Sequence, residues 1–358
     1  LVHRLGNSLD CLEYLDIVAI GTVADLVPLT GENRLLVKYG IEKLQKTGNL
    51  GLQALMTVCS LQTTAIDARK IGFVIAPRLN ASGRLHHAAT GVELLTSSDT
   101  DKVNAIASEL NQTNAERQAV EQQILEKVEE LLQDTDWDTT KALVISGTDW
   151  HSGVIGIVAS RLVERYHRPT ILISICDGVG KGSCRSIPGF DMYAGLKSCS
   201  DLLLQFGGHR QAAGLSINEA DIPAFRKKFI EVVDNTLTLD DLIPTLQIDV
   251  TVSLQELNAA FLEQIACLEP FGMGNPSPVL ASLPVALQSV SVFGKEKRHL
   301  RLWVRENAVN SEAIAWNKGD LADAFTNKFL TEIAFVPELH EWLGRRSVRM
   351  RAIDVRQI

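Results

Sequence analysis

The sequence predicts an α/β chain that turns to β in its last third. Three observations predict it: short apolar runs alternating with helical stripes through the first two thirds, one long polar helix pattern near residue 100, and a cluster of strand patterns after residue 238. At 358 residues, 46% hydrophobic and 22% charged, the chain has apolar material for two or three ordinary domains.

The elements follow in order. Asp16–Ile20 (DIVAI) is a nearly all-apolar run of the buried-strand kind, so the opening segment reads as α/β. From Asn33 to Lys46, Leu35, Leu36, Tyr39, Ile41 and Leu44 form a helical stripe closed by Gly48. Residues 99–134 contain no Gly or Pro and keep apolar residues at three-and-four spacing from Val103 to Leu131, with Asp99 as cap. Such a helix bridges two domains and marks the first boundary. A second α/β unit follows: strands at Ala142–Ser146, Thr170–Cys176 and Ala213–Ile217, helices at Val154–Tyr166, Met192–Leu204 and Ile222–Val233. The remainder is β-rich, with runs at Leu246–Val252, Val285–Phe293, Leu300–Val304, Ala313–Trp316, Glu332–Val336 and Val348–Ile353 and one short helix at Leu321–Phe325. That pattern suits a small barrel such as an OB-fold.

Charge and cysteine content narrow the function classes. The formal net charge of −8 gives no global basic field, so a nucleic-acid partner must be held by local patches. Six scattered cysteines without a C-x-x-C pair argue against a disulfide scaffold or a zinc site. With no apolar run of membrane-spanning length and no leader-like start, the chain reads as cytoplasmic, with no membrane partner. Its first residue is leucine, which points to a natural start upstream.

Several strings could carry chemistry. Asp25, in Gly21–Pro28, would stand just past a buried strand, where α/β sheets place ligands; alone it equally suits a turn before Pro28. Arg78, Asn80 and Arg84 after Pro77 suit a loop holding a phosphate or an acidic side chain, or an internal salt bridge. The adjacent His86 and His87 read as structural. His151, in Asp149–Gly156 between a strand and a helix, suits an anion site or a helix cap. Gly180–Ser186 offers glycines with Ser183, Arg185 and Ser186, and Phe206–His209 brings His209 beside the bare backbone of Gly207 and Gly208. Together these two strings read as a phosphate cleft. In the tail, Lys295, Lys297, Arg298, Arg301, Arg305, Arg345, Arg346, Arg349 and Arg351 accompany Phe293, Trp303 and Trp342, a groove for a single strand or a solvated face.

Taken in order, the strings DIVAIGTVADLVPL with GENR, APRLNASGRL, DWHSGVIGIVASRL, GKGSCRSI, FGGHRQAAGLSI and EPFGMGNPSPVL resemble the RecJ family of DHH phosphoesterases along nearly the whole chain. The resemblance implies a 5′-3′ exonuclease specific for single-stranded DNA, acting in repair and recombination by two-metal hydrolysis with Mn2+ or Mg2+. It makes Asp25 the family's last metal-binding aspartate and places Arg78, Asn80 and Arg84 beside that site. It assigns Ser183, Arg185, Ser186, Gly207, Gly208 and His209, with His151, to a DHH-associated domain that grips DNA phosphates, His209 sharing in catalysis. Lys295, Lys297, Arg298, Arg301 and Trp303 become contacts of an OB-fold.

The implied layout is the C-terminal part of a DHH phosphoesterase domain (1–98), a connecting helix (99–134), the DHH-associated domain (135–237) and the OB-fold (238–358). The family's other metal motifs, including its Asp-His-His signature, are absent from this sequence and are expected to precede Leu1. The resemblance also allows a single-strand-binding protein and a helicase as partners of a monomer. Two other readings stay open: a single-strand-binding piece without catalysis, and a phosphoesterase for nucleotides or short oligonucleotides.

Overall fold

Helices occupy the first third of the computed structural model, which describes residues 11–61, 66–85, 87–325, 330–342 and 345–358. They are α1 (Leu15–Ala24), α2 (Gly31–Leu44), α3 (Leu50–Val58), the short α4 (Ala68–Lys70), α5 (Ala76–Leu85), α6 (Ala89–Thr96) and α7 (Thr100–Leu131). The strand expected at Asp16–Ile20 is therefore the body of α1. A five-residue apolar run does not distinguish a strand from a buried helix segment, and here Asp16, Ala19 and Ile20 are buried on one helical face. The string from Arg78 to Leu85, expected as a loop, is α5. Pro77 follows a π-helical turn, Ile71–Ile75, that joins α4 to α5, so it lies within a continuous helical stretch rather than at a helix start. Helix α7 has 32 residues, roughly 48 Å at 1.5 Å each. The Asp99 carboxylate caps it by accepting from the N–H groups of Asp101 and Lys102 at 3.0 and 3.1 Å.

The next segment supplies β1 (Leu143–Thr148), α8 (Ile155–Tyr166), β2 (Thr170–Cys176), β3 (Val179–Arg185), α9 (Met192–Ser198), β4 (Gln205–Gly208), β5 (Ala212–Asn218) and α10 (Ile222–Asp234). They form a five-stranded sheet of order β1-β2-β3-β5-β4, parallel only between β1 and β2. Alternation along the strands feeds two cores. Leu143, Ile145 and Leu172 pack with Val158 and Leu162 of α8 and Ile124 and Val128 of α7, while Val144, Ile171 and Ile173 pack with Phe225 and Phe229 of α10. Burial on both faces explains the continuous apolar runs of β1 and β2. Strands β3 and β4 fall on the two glycine-bearing strings, which carried no strand assignment in the sequence.

The last segment contains β6 (Val250–Val252), α11 (Ala259–Ala266), β7 (Leu280–Ser282), β8 (Val285–Phe293), β9 (His299–Glu306), β10 (Val309–Ala315), β11 (Leu330–Trp342) and β12 (Arg345–Gln357). β8 pairs with β9, β9 with β10, β10 with β12, β12 with β11, and β11 with β8. Val285, Leu300, Leu302, Val304, Phe335 and Met350 form the core between these strands.

The chain divides into two units, Leu1–Lys46 with Thr63–Gly72 and Leu246–Ile358, and Thr47–Gln62 with Phe73–Thr245. In the first, α1 and α2 cross closely at Gly40, where a Cβ would meet the Leu15 carbonyl oxygen at 2.3 Å. The Pro270–Pro276 segment docks beside them: Met273 accepts from the Leu29 N–H at 2.6 Å. The Arg34 guanidinium donates to the carbonyls of Cys267 and Glu269 at 3.2 and 3.3 Å. In the second, the N-terminal half of α7 packs against α3, α5 and α6, and its C-terminal half against α8. Among the described residues, no helix is long and apolar enough to cross a membrane.

Candidate nucleic-acid interface

Helix α8 covers β2 and β3 on one face of the five-stranded sheet. Ser183 and Arg185 of β3 point to this face, because Cys184 between them is buried in the opposite core. Their closeness to α8 depends on Gly156: a Cβ there would meet Ser183 Oγ at 2.8 Å and Arg185 Nη2 at 3.0 Å. The Arg185 guanidinium is held from three sides. Its Nε donates to Ser160 Oγ at 3.1 Å, and its Nη1 donates to the Cys184 carbonyl at 2.8 Å and to Ser183 Oγ at 3.2 Å. Burial pulls its pKa below the usual arginine range; Cys184 opposes that shift and Arg84 adds to it. An arginine stays charged regardless, so the result is a fixed, partly desolvated cation.

Register extends this site across the sheet. Ser183 lies opposite Gly214, and Gly214 opposite Gly207; Arg185 lies opposite Ala212, whose carbonyl accepts from the His209 N–H at 2.8 Å. Gly208 must stay glycine, with φ +144° and a Cβ position only 2.5 Å from the Ala212 carbonyl oxygen. Thus Ser183 and Arg185 of β3, Gly214 of β5, and Gly207 of β4 with His209 just past its end, occupy neighbouring positions across three adjacent strands. Ser186 is different: it is buried and its hydroxyl donates to the Phe190 carbonyl at 2.9 Å, an internal tie.

The strand-to-helix connection before α8 carries His151. Its Nδ1 accepts from the Gly153 N–H at 3.1 Å, the bond of a local cap, and its ring is exposed. Arg84 of α5 donates through Nη1 to the Gly153 carbonyl at 3.3 Å, so α5 reaches the same connection. Arg78 is committed internally, Nε to Asn111 Oδ1 at 2.8 Å and Nη1 to the Val74 carbonyl at 2.7 Å, tying α5 to α7. Asn80 is exposed on α5.

Sequence reasoning missed the supports of this site. Ser160 and Gly156 lie one helical turn apart on α8, and the Ser160 hydroxyl donates to the Gly156 carbonyl at 3.1 Å. Buried on α7, Arg117 donates to Glu121 at 2.7 Å and to Asn114 Oδ1 at 3.0 Å, and Arg161 of α8 reaches the same carboxylate at 2.6 Å. Polar residues at i, i+3 and i+7 on the apolar side of an amphipathic helix were the available signal.

In the other unit, Asp25 is exposed at the C-terminal end of α1, its N–H bonded to the Gly21 carbonyl at 3.1 Å. It thus follows a helix, not the expected strand. Among the described residues no group of three or more His, Cys, Asp or Glu side chains could hold a metal ion. A lone carboxylate does not meet the donor set of a two-metal centre. His87 is exposed, and His86 lies outside the described residues.

On the C-terminal sheet several of the basic residues are already paired: Arg298 with Glu296 at 2.5 Å, Arg301 with Glu312 at 2.9 Å, and Arg349 and Arg351 with Glu338 at 3.3 and 2.8 Å. Arg301 also lies over the Phe293 ring at 4.9 Å. Trp303 is 42% exposed, and Lys295 and Lys297 are exposed without an ion pair among the described residues. His299 and Trp316, which the sequence reading passed over, join Phe293 in an aromatic cluster with centroids 4.8 to 5.8 Å apart. The side chains of Trp342, Arg345 and Arg346 lie outside the described residues.

Comparison with known proteins agrees with this arrangement. Residues 139–235 match the model of the DHHA1 domain, and residues 248–354 match that of the RecJ OB domain. The chain is 36% identical over 356 residues to the single-stranded-DNA-specific exonuclease RecJ of Bacillus subtilis, covering 99% of this chain and 45% of that protein. The Escherichia coli protein of the same name is 32% identical, with 94% and 60% covered. Among solved structures, RecJ from Thermus thermophilus in complex with Mg2+ superposes with a TM-score of 0.86 at 34% identity, over 99% of this chain and 54% of that one. The chain spans about half the length of the curated relatives it matches.

Proposed function

From a chain that belongs to the RecJ family, we propose the strand-gripping part of a 5′-3′ exonuclease specific for single-stranded DNA. The observation that carries this is the Arg185 guanidinium, immobilised by Ser160, Ser183 and the Cys184 carbonyl beside the bare backbone of Gly207 and Gly214. A planar cation fixed in advance binds a phosphodiester with little loss of side-chain freedom, and glycines let the backbone of the strand approach. His209 and Ser183 would add donors to the same phosphate, and the Arg84 and His151 region would flank it.

The fit to a metal centre is incomplete. Asp25 would supply one ligand to Mn2+ or Mg2+, which in such enzymes activates water and stabilises the leaving oxygen. The other ligands are not found among the described residues. This favours a second reading for the chain by itself, a module that holds single-stranded DNA without cleaving it.

The five pairings from β8 through β9, β10, β12 and β11 back to β8 support an OB-type barrel, with the exposed Trp303, Lys295 and Lys297 as strand contacts. We place the domain limits at residues 98, 134 and 237.

A 5′-labelled single strand incubated with the chain and Mn2+ or Mg2+, beside a binding titration, tests the two readings. Binding without product supports the holding module; removal of 5′ nucleotides supports a self-sufficient nuclease. Absence of binding contradicts both.

A further inference from the structure

The cleft beside Arg185 has a second row of polar side chains that the phosphate grip does not use. Two residues before Ser183 on β3, Lys181 lies opposite Ser216 of β5, and Ser216 lies opposite Gln205 of β4. Residues two apart on a strand share a face. The Lys181–Ser216–Gln205 row therefore faces the same side as the Ser183–Gly214–Gly207 row. All six residues line one cavity of about 470 Å3, together with Ser152 and Ile155 at the start of α8.

Two features give this cavity a direction. The rows are two residues apart, roughly 7 Å along the strands, a step comparable to the spacing of neighbouring phosphates in an extended single strand. Beyond Ser183 the first row is bare: a Cβ on Gly214 would meet only the Gly182 carbonyl oxygen at 3.7 Å, and one on Gly207 would meet nothing within 4 Å. Neither position needs glycine for the fold, so open space above the sheet is the property these residues supply. Lys181 is exposed and has no ion-pair partner among the described residues. Asp149 and Asp177 share its neighbourhood, since all three act on the Cys176 thiol, yet neither carboxylate pairs with it.

We propose that Lys181, Gln205 and Ser216 form a second nucleotide subsite, which takes the phosphodiester next to the one held by Arg185 and Ser183. The Lys181 ammonium meets the phosphate charge, Gln205 and Ser216 supply hydrogen bonds, and a sugar or base lies over Gly207 and Gly214. The ligand class is then a single strand with at least two consecutive phosphates. A mononucleotide fills only the first row. This subsite rests on reading the cleft as a single-strand groove.

The test is competition against a labelled oligothymidylate 12-mer by thymidine 5′-monophosphate and by the dinucleotide pTpT, using the whole chain, Lys181→Met, Gly214→Val and Arg185→Ala. The dinucleotide is expected to compete more strongly than the mononucleotide with the unaltered chain. Lys181→Met should remove that advantage, a loss of roughly five- to tenfold for pTpT, and leave the mononucleotide unchanged. It should also lower the salt slope of 12-mer binding by about 0.7, the value for one phosphate contact on a single strand. Gly214→Val, with an unchanged melting transition, should weaken both competitors and the 12-mer through bulk alone. Equal loss for both competitors in Lys181→Met, or no loss and an unchanged salt slope, would overturn the subsite while Arg185→Ala still weakens the 12-mer. If Arg185→Ala leaves 12-mer binding intact, the groove reading itself falls, and the subsite with it.

Discussion

Ser160 accepts a hydrogen bond from Arg185 Nε at 3.1 Å while its own proton goes to the Gly156 carbonyl at 3.1 Å. One hydroxyl therefore fixes both the arginine that faces the cleft and the helical turn against which that arginine packs. Ser160→Ala should weaken single-strand binding by roughly three- to tenfold, the effect of one ordinary hydrogen bond lost from the arginine's positioning. Thermal stability should change little, because alanine is the better helix former. Anisotropy titration beside a melting curve checks both; unchanged binding would remove Ser160 from the positioning of Arg185.

Glu121 is 1% exposed and serves two arginines, Arg117 and Arg161. Glu121→Leu leaves the buried Arg117 without its carboxylate and should destabilise the chain by about 3–5 kcal/mol. The pair Glu121→Leu with Arg117→Met should recover much of that loss, since the uncompensated buried charge is then gone. Urea denaturation of the two variants beside the unaltered chain measures it, provided the slope stays constant.

Burial pushes the Cys184 thiol up to about 12, with Arg185 opposing. In the unfolded chain this thiol ionises at its ordinary, lower pKa. The unfolded state therefore loses its proton first as pH rises, and the folded state binds the extra proton. Stability from this group is present below the ordinary thiol pKa and is lost as pH climbs toward about 12. Cys184→Ala should flatten the alkaline part of a stability-versus-pH curve, by at most about 1.4 kcal/mol per pH unit for one proton. Cys199, raised to about 11, leaves a residual slope in that variant.

Asp25 should behave unlike Arg185. In a polypeptide spanning the full length of the relatives, Asp25→Ala should abolish metal-dependent turnover and leave strand binding nearly intact. Arg185→Ala should weaken both. Normal activity in Asp25→Ala would remove it from the metal site.

Much of the second α/β unit was legible from residues alone, because strands buried on both faces must be apolar throughout, as at Ile171–Ile173. The same rule misled at Asp16–Ile20, where a buried helix segment has the same composition. Pro77 suggested a loop because a proline inside a helix is uncommon; here it follows the π-helical turn that joins α4 to α5. The two glycine strings carried no strand assignment, yet both lie in strands, where Gly182 packs against Leu215 and Gly207 faces open space. The strings bearing Arg185 and His209 were recognisable, and strand register now puts them side by side. Ser160 was invisible, since nothing in a serine on an amphipathic helix announces which arginine it will hold.

The most direct test of the central claim is the affinity of this chain for a single strand against a duplex of the same length, with and without Arg185→Ala. The account predicts that the single strand binds at least about tenfold tighter, and that Arg185→Ala removes most of that preference. Equal affinity for the two forms, or a preference that survives Arg185→Ala, would contradict it.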